Sequence, residues 1–278
     1  TTHPGKNCHT HQYYDSGFGM SMAIGKTHAV ISASGRLGHR SSSGCNESPT
    51  IPAAVFFYSL NNLNSPQKIE YHNDRYDDFG ASVAISKSYA AVGAPVSNKV
   101  LIYKLQGDLW SSAPVAQLEY SNDRFTTTPK FGTSVAMTDE CIIVGAPGAK
   151  KAFIYCQDAT GNWKIEPVAT LTGDDNDKRE ENFGAAVGIS KQFAIVSAPE
   201  ETKAFIYKQD ADGAWPISPV VTLEGINEGM AYGSTVAINS KYAIIGASGD
   251  EKVYLYGQTT KPVLPPSSKS NGGDNKGS

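Results

Sequence analysis

The sequence predicts an all-β fold assembled from five copies of one small antiparallel sheet. Three observations predict it. A motif of 17 residues recurs five times without a gap, its copies follow one another at intervals of 61, 52, 52 and 49 residues, and no stretch of useful length has helical periodicity. The motif reads aromatic-Gly, then alternating small and apolar residues, a polar break, and an apolar run that ends in a small-residue turn. Its copies begin at Phe18, Phe79, Phe131, Phe183 and Tyr232.

Each repeat predicts four strands. In the second copy, residues 82–85 and 89–92 are short β-type runs bounded by turn residues, so they form the first two strands. A third strand ends in a recurring tyrosine, at Tyr58, Tyr103, Tyr155, Tyr207 and Tyr256. A fourth and weaker strand ends at Leu118, Leu171 and Leu223, and the first copy offers only a poor equivalent around Ile69.

Four antiparallel strands in about 50 residues, repeated radially, are typical of a β-propeller. We therefore expect a five-bladed β-propeller of four-stranded antiparallel blades. A stacked solenoid fits less well, because its units are usually shorter and its strands parallel. Small residues at alternate positions of the first strand suit a crowded central axis; they are Ala84, Ala136, Gly188 and Ala237. We expect one propeller domain over residues 1–264 and a flexible polar tail over residues 265–278.

The last blade needs a fourth strand from one of the two termini. Residues 261–264 are one candidate, since they resemble the fourth strands of the other repeats. Residues 8–14 are the other candidate. We favour them because they lie about as far before the first Phe-Gly pair as the outer strand of each other repeat lies before the Phe-Gly pair that follows it.

The Phe-Gly pairs and the small-residue turns resemble FG-GAP repeats. Those turns read Gly-Ala-Pro at residues 93–95 and 145–147, and Ser-Ala-Pro at residues 197–199. FG-GAP repeats form the propeller head of integrin α chains and occur in many bacterial secreted proteins, and the resemblance here covers residues 18–256. It implies an extracellular, integrin-like binding propeller, although integrin heads have seven blades and five are counted here. The calcium loops of that family are not carried over, because connections such as residues 86–88 are too short and too poor in carboxylates.

Composition excludes several classes of partner. The chain has 278 residues, a formal net charge of −3 and only 18% charged residues, so there is no electrostatic reason to expect a nucleic acid or an anionic membrane. No stretch approaches the roughly 20 apolar residues that a membrane helix needs. No phosphate loop, nucleophile elbow or zinc-protease motif is present, so we expect neither an enzyme nor a cofactor. The oligomeric state is left open.

Four cysteines allow two disulfides. Cys141 and Cys156 flank one predicted hairpin and can face each other across it, which leaves Cys8 to pair with Cys45. Two bridges would place the chain in an oxidising compartment, and we expect a secreted protein. The alternative is four buried thiols that behave as small hydrophobic residues.

Chain direction decides which loops share a face. In an antiparallel blade, the loop between strands two and three opens on the same side as the link to the next blade. Three of these links carry an acidic-basic pair, and residues 35–51 insert a long loop on the same side in the first repeat. We take these groups as candidate ligand-binding residues: Arg36, His39, Arg40, Asp74, Arg75, Asp123, Arg124, Asp177 and Lys178. The alternatives are that the pairs form turns with solvated charges and that the insertion is neutral.

The opposite face carries a recurring tryptophan in the connection between strands three and four. These residues are Trp110, Trp163 and Trp215. Exposed indoles could stack on sugar rings and would indicate a lectin with repeated pockets between blades. The interpretation we favour is that each indole covers the hydrophobic edge between adjacent blades. The leading functional hypothesis is therefore an adhesion or recognition module for a protein or glycoprotein, with a lectin as the alternative.

Overall fold

The computed structural model describes residues 17–33, 52–71, 78–120, 128–173, 182–225, 231–257 and 262–263. Within these ranges the chain is all-β, as predicted. It forms 21 strands in five antiparallel sheets, with three single-turn 3-10 segments, Pro147–Ala149, Pro199–Glu201 and Ser248–Asp250. The sheets are numbered 1 to 5 along the chain, and each begins close to one copy of the motif.

Sheets 1 and 2 contain nine strands. Sheet 1 consists of β1 (Phe18–Ile24), β2 (His28–Ala33), β3 (Ala53–Ser59) and β4 (Asn62–Tyr71). Sheet 2 consists of β5 (Ser82–Ile85), β6 (Tyr89–Ala94), β7 (Lys99–Gln106), β8 (Leu109–Trp110) and β9 (Ala116–Glu119). Both β8 and β9 pair with β7, so sheet 2 has a fifth, two-residue strand that was not predicted.

Sheets 3 to 5 keep the four-stranded order. Sheet 3 consists of β10 (Ser134–Met137), β11 (Cys141–Ala146), β12 (Lys151–Cys156) and β13 (Ala169–Leu171). Sheet 4 consists of β14 (Val187–Ile189), β15 (Phe193–Ala198), β16 (Lys203–Lys208) and β17 (Val221–Glu224). Sheet 5 consists of β18 (Tyr232–Ile238), β19 (Tyr242–Ala247), β20 (Lys252–Gly257) and β21 (Pro262–Val263).

One prediction about the outer strands is confirmed and one was wrong. The fourth strand expected around Ile69 is β4, which at ten residues is the longest described strand. The fourth position of sheet 5 is occupied by β21, paired through Leu255 with Val263, and not by residues 8–14, which we had favoured. Backbone pairing of β21 with the edge of β20 requires only an extended segment of matching direction, which the sequence after Tyr256 supplies. Residues 8–14 themselves lie outside the described residues.

Consecutive sheets pack face to face. We call the face that contacts the preceding sheet the front and the face that contacts the next sheet the back. The core between sheets 2 and 3, for example, joins Ile102 and Leu118 from the back of sheet 2 to Phe131, Val144 and Phe153 from the front of sheet 3. Three further clusters join sheets 1 and 2, 3 and 4, and 4 and 5 in the same way. The apolar partners of the motif therefore fill the space between sheets, as predicted.

The Phe-Gly and Gly-Ala-Pro parts of the motif meet at these interfaces. A Cβ atom built on Gly145 of sheet 3 would lie 2.0 Å from the carbonyl oxygen of Gly184 in sheet 4. Gly93 of sheet 2 has the same relation to Gly132 of sheet 3, at 2.1 Å. A side chain at either position would collide with backbone of the next sheet. In sheets 2 and 3 the neighbouring sheet therefore requires a glycine, whereas sheets 1 and 4 have Ser32 and Ser197 at this position.

The two ends of the array expose the same kinds of side chain that the interior buries. On the front of sheet 1, Phe18 is 52% exposed, whereas the equivalent Phe131 is fully buried. On the back of sheet 5, Val253 is 53% exposed, whereas the equivalent Ala204 is fully buried. The front of sheet 1 and the back of sheet 5 are therefore two apolar faces of the type that pack together elsewhere in the fold.

Candidate ligand-binding face

The loops between strands two and three lie beside the links between sheets, as chain direction predicted. Asn98 ends such a loop in sheet 2 with a left-handed backbone, φ 54°. Its carbonyl oxygen accepts a hydrogen bond from the backbone N–H of Tyr120 at 3.2 Å, and its side-chain oxygen accepts one from the N–H of Phe131 at 3.1 Å. One asparagine therefore holds both ends of the link from sheet 2 to sheet 3.

In sheets 3 and 4 the loop also meets a link, by close approach in sheet 3 and by a hydrogen bond in sheet 4. In sheet 3 the loop is a 3-10 turn, and a Cβ atom built on Gly148 would lie 2.1 Å from the carbonyl oxygen of Thr128 in the preceding link. In sheet 4 the carbonyl of Thr202 accepts a 2.7 Å hydrogen bond from the N–H of Gly225, where the link to sheet 5 begins. The face formed by these loops and links, which we call the loop face, thus has a fixed backbone framework.

The positions of the predicted ligand-binding residues do not follow from these backbone contacts. All nine lie outside the described residues: Arg36, His39, Arg40, Asp74, Arg75, Asp123, Arg124, Asp177 and Lys178. The described ends of the links show only where these segments start and finish. Their role stays a prediction.

The described part of the loop face has charges of both signs, and Lys252 of sheet 5 is paired there with Asp250. Sheet 3 presents Lys130 and Lys150, which are exposed. Sheets 4 and 5 present Glu200 and Glu251, also exposed. Lys130 ends the link one residue before Phe131, whereas Lys150, Glu200 and Glu251 lie in the loops between strands two and three, outside the segments from which the binding residues were predicted.

The opposite face holds the tryptophans, and their contacts confirm the interpretation we favoured. Trp110 of sheet 2 is 3% exposed and stacks on Phe57 of sheet 1 with ring centroids 4.6 Å apart. Trp163 of sheet 3 meets Tyr89 of sheet 2 edge to face at 5.5 Å. Trp215 of sheet 4 is buried in the cluster that sheets 3 and 4 share. Each indole therefore fills the space between its own sheet and the one before it.

One predicted disulfide is confirmed. Cys141 and Cys156 lie directly opposite each other on β11 and β12, with Cα atoms 4.1 Å apart, and are bonded. Cys8 and Cys45 lie outside the described residues. In sheet 4 the equivalent pair is Phe193 and Lys208, whose ammonium lies 5.8 Å from the centroid of the Phe193 ring.

The three tyrosines with raised pKa values belong to the packed interior and not to a reactive site. Burial raises the pKa of Tyr103, Tyr155 and Tyr232 well above the usual value for a phenol, and in Tyr155 the nearby Glu166 acts in the same direction. Such groups stay neutral at physiological pH. The described residues contain no group of three or more His, Cys, Asp and Glu side chains that could hold a metal ion. Within the same residues, no helix is long and apolar enough to cross a membrane.

Sequence comparison identifies one repeat of a known family. A family profile described as FG-GAP repeat matches residues 73–104, which contain the second Phe-Gly pair and the first Gly-Ala-Pro turn. Comparison with curated protein sequences found no match.

Solved structures resemble the chain in fold only. A functionally unknown protein from Desulfotomaculum acetoxidans matches with a TM-score of 0.52 and 12% identity, over 76% of this chain and 61% of that one. The WD40 domain of Toxoplasma gondii coronin matches with a TM-score of 0.53 and 10% identity, over 91% and 60%. A candidate 6-phosphogluconolactonase from Bacteroides uniformis matches with a TM-score of 0.58 and 9% identity, over 89% and 70%.

The chain spans only about three fifths of the first two of these structures, 61% and 60%. WD40 repeats form β-propellers. At these identities the likeness concerns the arrangement of sheets and not the site. The chain is therefore an all-β protein with a propeller-like array of antiparallel sheets and at least one FG-GAP repeat.

Proposed function

We propose that this chain is an extracellular binding module that recognises a protein or glycoprotein through the loop face. The observation that carries the proposal is the fixed framework beneath that face, where Asn98 and Thr202 attach loops and links to each other. Variable loops on a rigid scaffold are where binding residues concentrate. The disulfide Cys141–Cys156 supports an oxidising, extracellular location. Adhesion is the biological role we infer for such a module.

The tryptophans do not support the lectin alternative. A lectin of the kind considered would need indole faces open to a sugar ring, whereas Trp110 and Trp215 are buried between sheets. A repeated carbohydrate site would have to use other groups. The protein-binding hypothesis makes no such demand, since its residues lie in the links and in the insertion at residues 35–51.

The test uses charge reversal on the links. The chain is screened against purified extracellular proteins and, in parallel, against a glycan array. For the ligand found, the triple variant Arg75→Glu, Arg124→Glu, Lys178→Glu should lower affinity at least tenfold. The matched control reverses three exposed lysines of the turns between strands one and two, Lys26, Lys87 and Lys191, which lie on the opposite face. Equal affinity of the two triple variants would reject the loop face as the site, and repeated glycan binding would favour the lectin.

The number of blades belongs to the same proposal. We infer that the five sheets close into one ring, with the front of sheet 1 against the back of sheet 5. The residues of these two faces support closure. The front of sheet 1 has the apolar pattern of the packed fronts of the other sheets, and the back of sheet 5 has that of the packed backs. Oxidation with dilute peroxide measures it: Met22, which is 66% exposed, should react no faster than the half-buried Met137 in a monomer whose ring is closed. A Met22 that oxidises as fast as in the unfolded chain would contradict closure.

A further inference from the structure

Sheet 5 lacks the tryptophan that the three preceding sheets place between neighbours. The reason is a shortened connection between its third and fourth strands. The first residue of the fourth strand pairs with a residue of the third strand, and the two lie 14 positions apart in sheet 2 and 15 apart in sheets 3 and 4. These pairs are Ile102 with Ala116, Ile154 with Ala169, and Ile206 with Val221. In sheet 5 the equivalent pair, Leu255 and Val263, lies 8 positions apart. The sequence between them contains no aromatic residue other than Tyr256.

A cavity of about 390 Å³ opens at this place. We call it the interblade notch. It lies between the back of sheet 4 and the front of sheet 5, and its apolar walls include Phe193, Ile206, Leu223, Ile238, Ala243 and Tyr256. Its volume falls in the range of roughly 300–1,000 Å³ that is usual for ligand sites.

The notch corresponds in position to the places that the indoles fill. Phe193 begins the second strand of sheet 4, as His28 and Tyr89 begin those of sheets 1 and 2. His28 meets Trp110 edge to face at 5.8 Å, and Tyr89 meets Trp163 in the same way at 5.5 Å. The first residue of the second strand is thus the repeated partner of the incoming indole, and in sheet 4 this partner is a phenyl ring.

The walls of the notch are less buried than their equivalents elsewhere. Ile206 and Leu223 are half-buried, whereas the matching Ile154 and Leu171 of sheet 3 are fully buried. Val220 lies at the rim, where its exposure is similar to that of the equivalent Val115 and Val168. Among the described residues, an indole covers the equivalent apolar surface at the other interfaces and none covers it at this one, so an aromatic ring entering here would bury it.

We propose that the interblade notch binds a tryptophan side chain presented by a partner polypeptide. The chain's own indoles show the chemistry of the occupant: each arrives on a short polar turn, and in sheet 4 that turn is held by Asp210, whose side-chain oxygen accepts hydrogen bonds from the backbone N–H groups of Asp212 and Ala214. The connection of sheet 5 is six or seven residues shorter in sequence than its equivalents, so a partner would supply backbone as well as a ring. A second copy of this chain cannot supply the ring, because Trp110, Trp163 and Trp215 already lie between its own sheets.

This site goes beyond the proposed function. It lies on the face opposite the loop face, with the turn of residues 239–241 at its rim. Binding at the two faces can therefore be measured separately, and the loss of one leaves the other intact.

The first experiment uses a peptide copied from the chain itself. Residues 209–218, with both ends blocked, contain the turn and Trp215. Calorimetric titration into the full chain should show saturable binding, and the same peptide with Trp215→Ala should bind at least tenfold more weakly. No binding of the first peptide, or equal binding of both, would overturn the proposal. N-acetyl-tryptophanamide that binds as tightly as the peptide would overturn the polypeptide part, since the ring alone would then be recognised.

Two variants of the chain locate the binding. Val220→Gln, at the exposed rim, should weaken the peptide several-fold, whereas Val115→Gln, at the equivalent and similarly exposed position of sheet 2, should leave it unchanged. A second variant replaces residues 257–262 with residues 208–220, so that the notch receives its own tryptophan. This graft should abolish peptide binding and raise the thermal midpoint. The same graft with alanine in place of the tryptophan should do neither, and equal behaviour of the two grafts would reject the notch as an indole site.

Discussion

The interface between sheets 3 and 4 and the interface between sheets 4 and 5 are built from the same repeat but differ in how fully they are packed. The interface between sheets 3 and 4 contains the buried indole of Trp215, and sheet 3 carries the disulfide. The second has neither, and the notch opens in the place of the indole. Both interfaces have a cavity, of about 410 Å³ beside Trp215 and of about 390 Å³ at the notch, so the outer connections decide whether an indole lies between the two sheets.

From this comparison we expect the largest loss of stability when a buried aromatic residue is replaced. Phe183 is fully buried between sheets 3 and 4, so Phe183→Ala should lower the free energy of unfolding by about 3–5 kcal/mol. Phe193, which lines the notch, is only half-buried, and Phe193→Ala should cost less than half as much. Urea unfolding of the two variants measures both values. Equal losses would mean that the notch is closed in solution.

Glycine positions should give the next largest effect. Ser197 of sheet 4 occupies the position that Gly145 occupies in sheet 3, and a Cβ atom on Gly145 would lie 2.0 Å from the oxygen of Gly184 and 2.3 Å from the Ser134 hydroxyl. Gly145→Ser should therefore destabilise the chain by roughly 3 kcal/mol, although serine is native one sheet later.

The same pair of sheets supplies the control for that substitution. Sheet 4 has Ala186 where sheet 3 has Ser134, so its serine hydroxyl comes from the second strand instead of the first. Adding Ser134→Ala to Gly145→Ser should recover part of the lost stability. If the double variant is less stable than the single one, the clash with Ser134 is not a cause of the loss.

The disulfide should have a smaller effect. Replacing Cys141 and Cys156 with alanine should lower the free energy of unfolding by about 2–3 kcal/mol, because the bridge closes a short loop of the unfolded chain. Thermal unfolding of the oxidised chain, the reduced chain and the double variant measures this. Agreement between the reduced chain and the variant is expected, and a stable reduced chain with an unstable variant would point to packing of the sulfur atoms instead.

The smallest effect concerns a turn that precedes a tryptophan. The hydroxyl of Thr160, and then the backbone N–H of Asn162, hold the pKa of the exposed Asp158 below its usual range. A depressed carboxyl pKa stabilises the fold above the unfolded pKa of about 4, and this contribution disappears as the pH falls through the folded value. The difference in urea midpoint between the chain and Asp158→Asn should therefore shrink between pH 6 and pH 2.5. A constant difference would show that hydrogen bonding geometry, and not charge, supports the turn.

The repeat made the sheets predictable, because period-2 alternation and the recurring aromatic-Gly pair act within each unit. Phe131 and Phe183 are buried where the motif required them. The outer strand of sheet 5 was harder to predict, since β21 has only two residues and shows no alternation of apolar and polar residues. The notch had a visible signal that was not used: the fifth unit has too few residues between Tyr256 and Val263 to carry a tryptophan.

The predicted binding residues show the other limit. Asp123 and Arg124 were selected because a pair recurs in the links, and recurrence reflects the period of the chain and not the contacts of a side chain. Links of this kind depend on their ends, such as Asn98 with Tyr120 and Phe131, and the internal sequence leaves the positions of their charges open.

The contact of Gly145 with Gly184 has a consequence for how such chains change in evolution. Each repeat brings one surface that requires a neighbour after it and one that requires a neighbour before it. A duplication of one whole repeat inside the array therefore creates a new pair of matching surfaces without altering any other. Deletion of one repeat rejoins two surfaces that already match. The number of sheets can drift by whole units, whereas a change of a few residues within a connection, as in sheet 5, opens a space that selection can use.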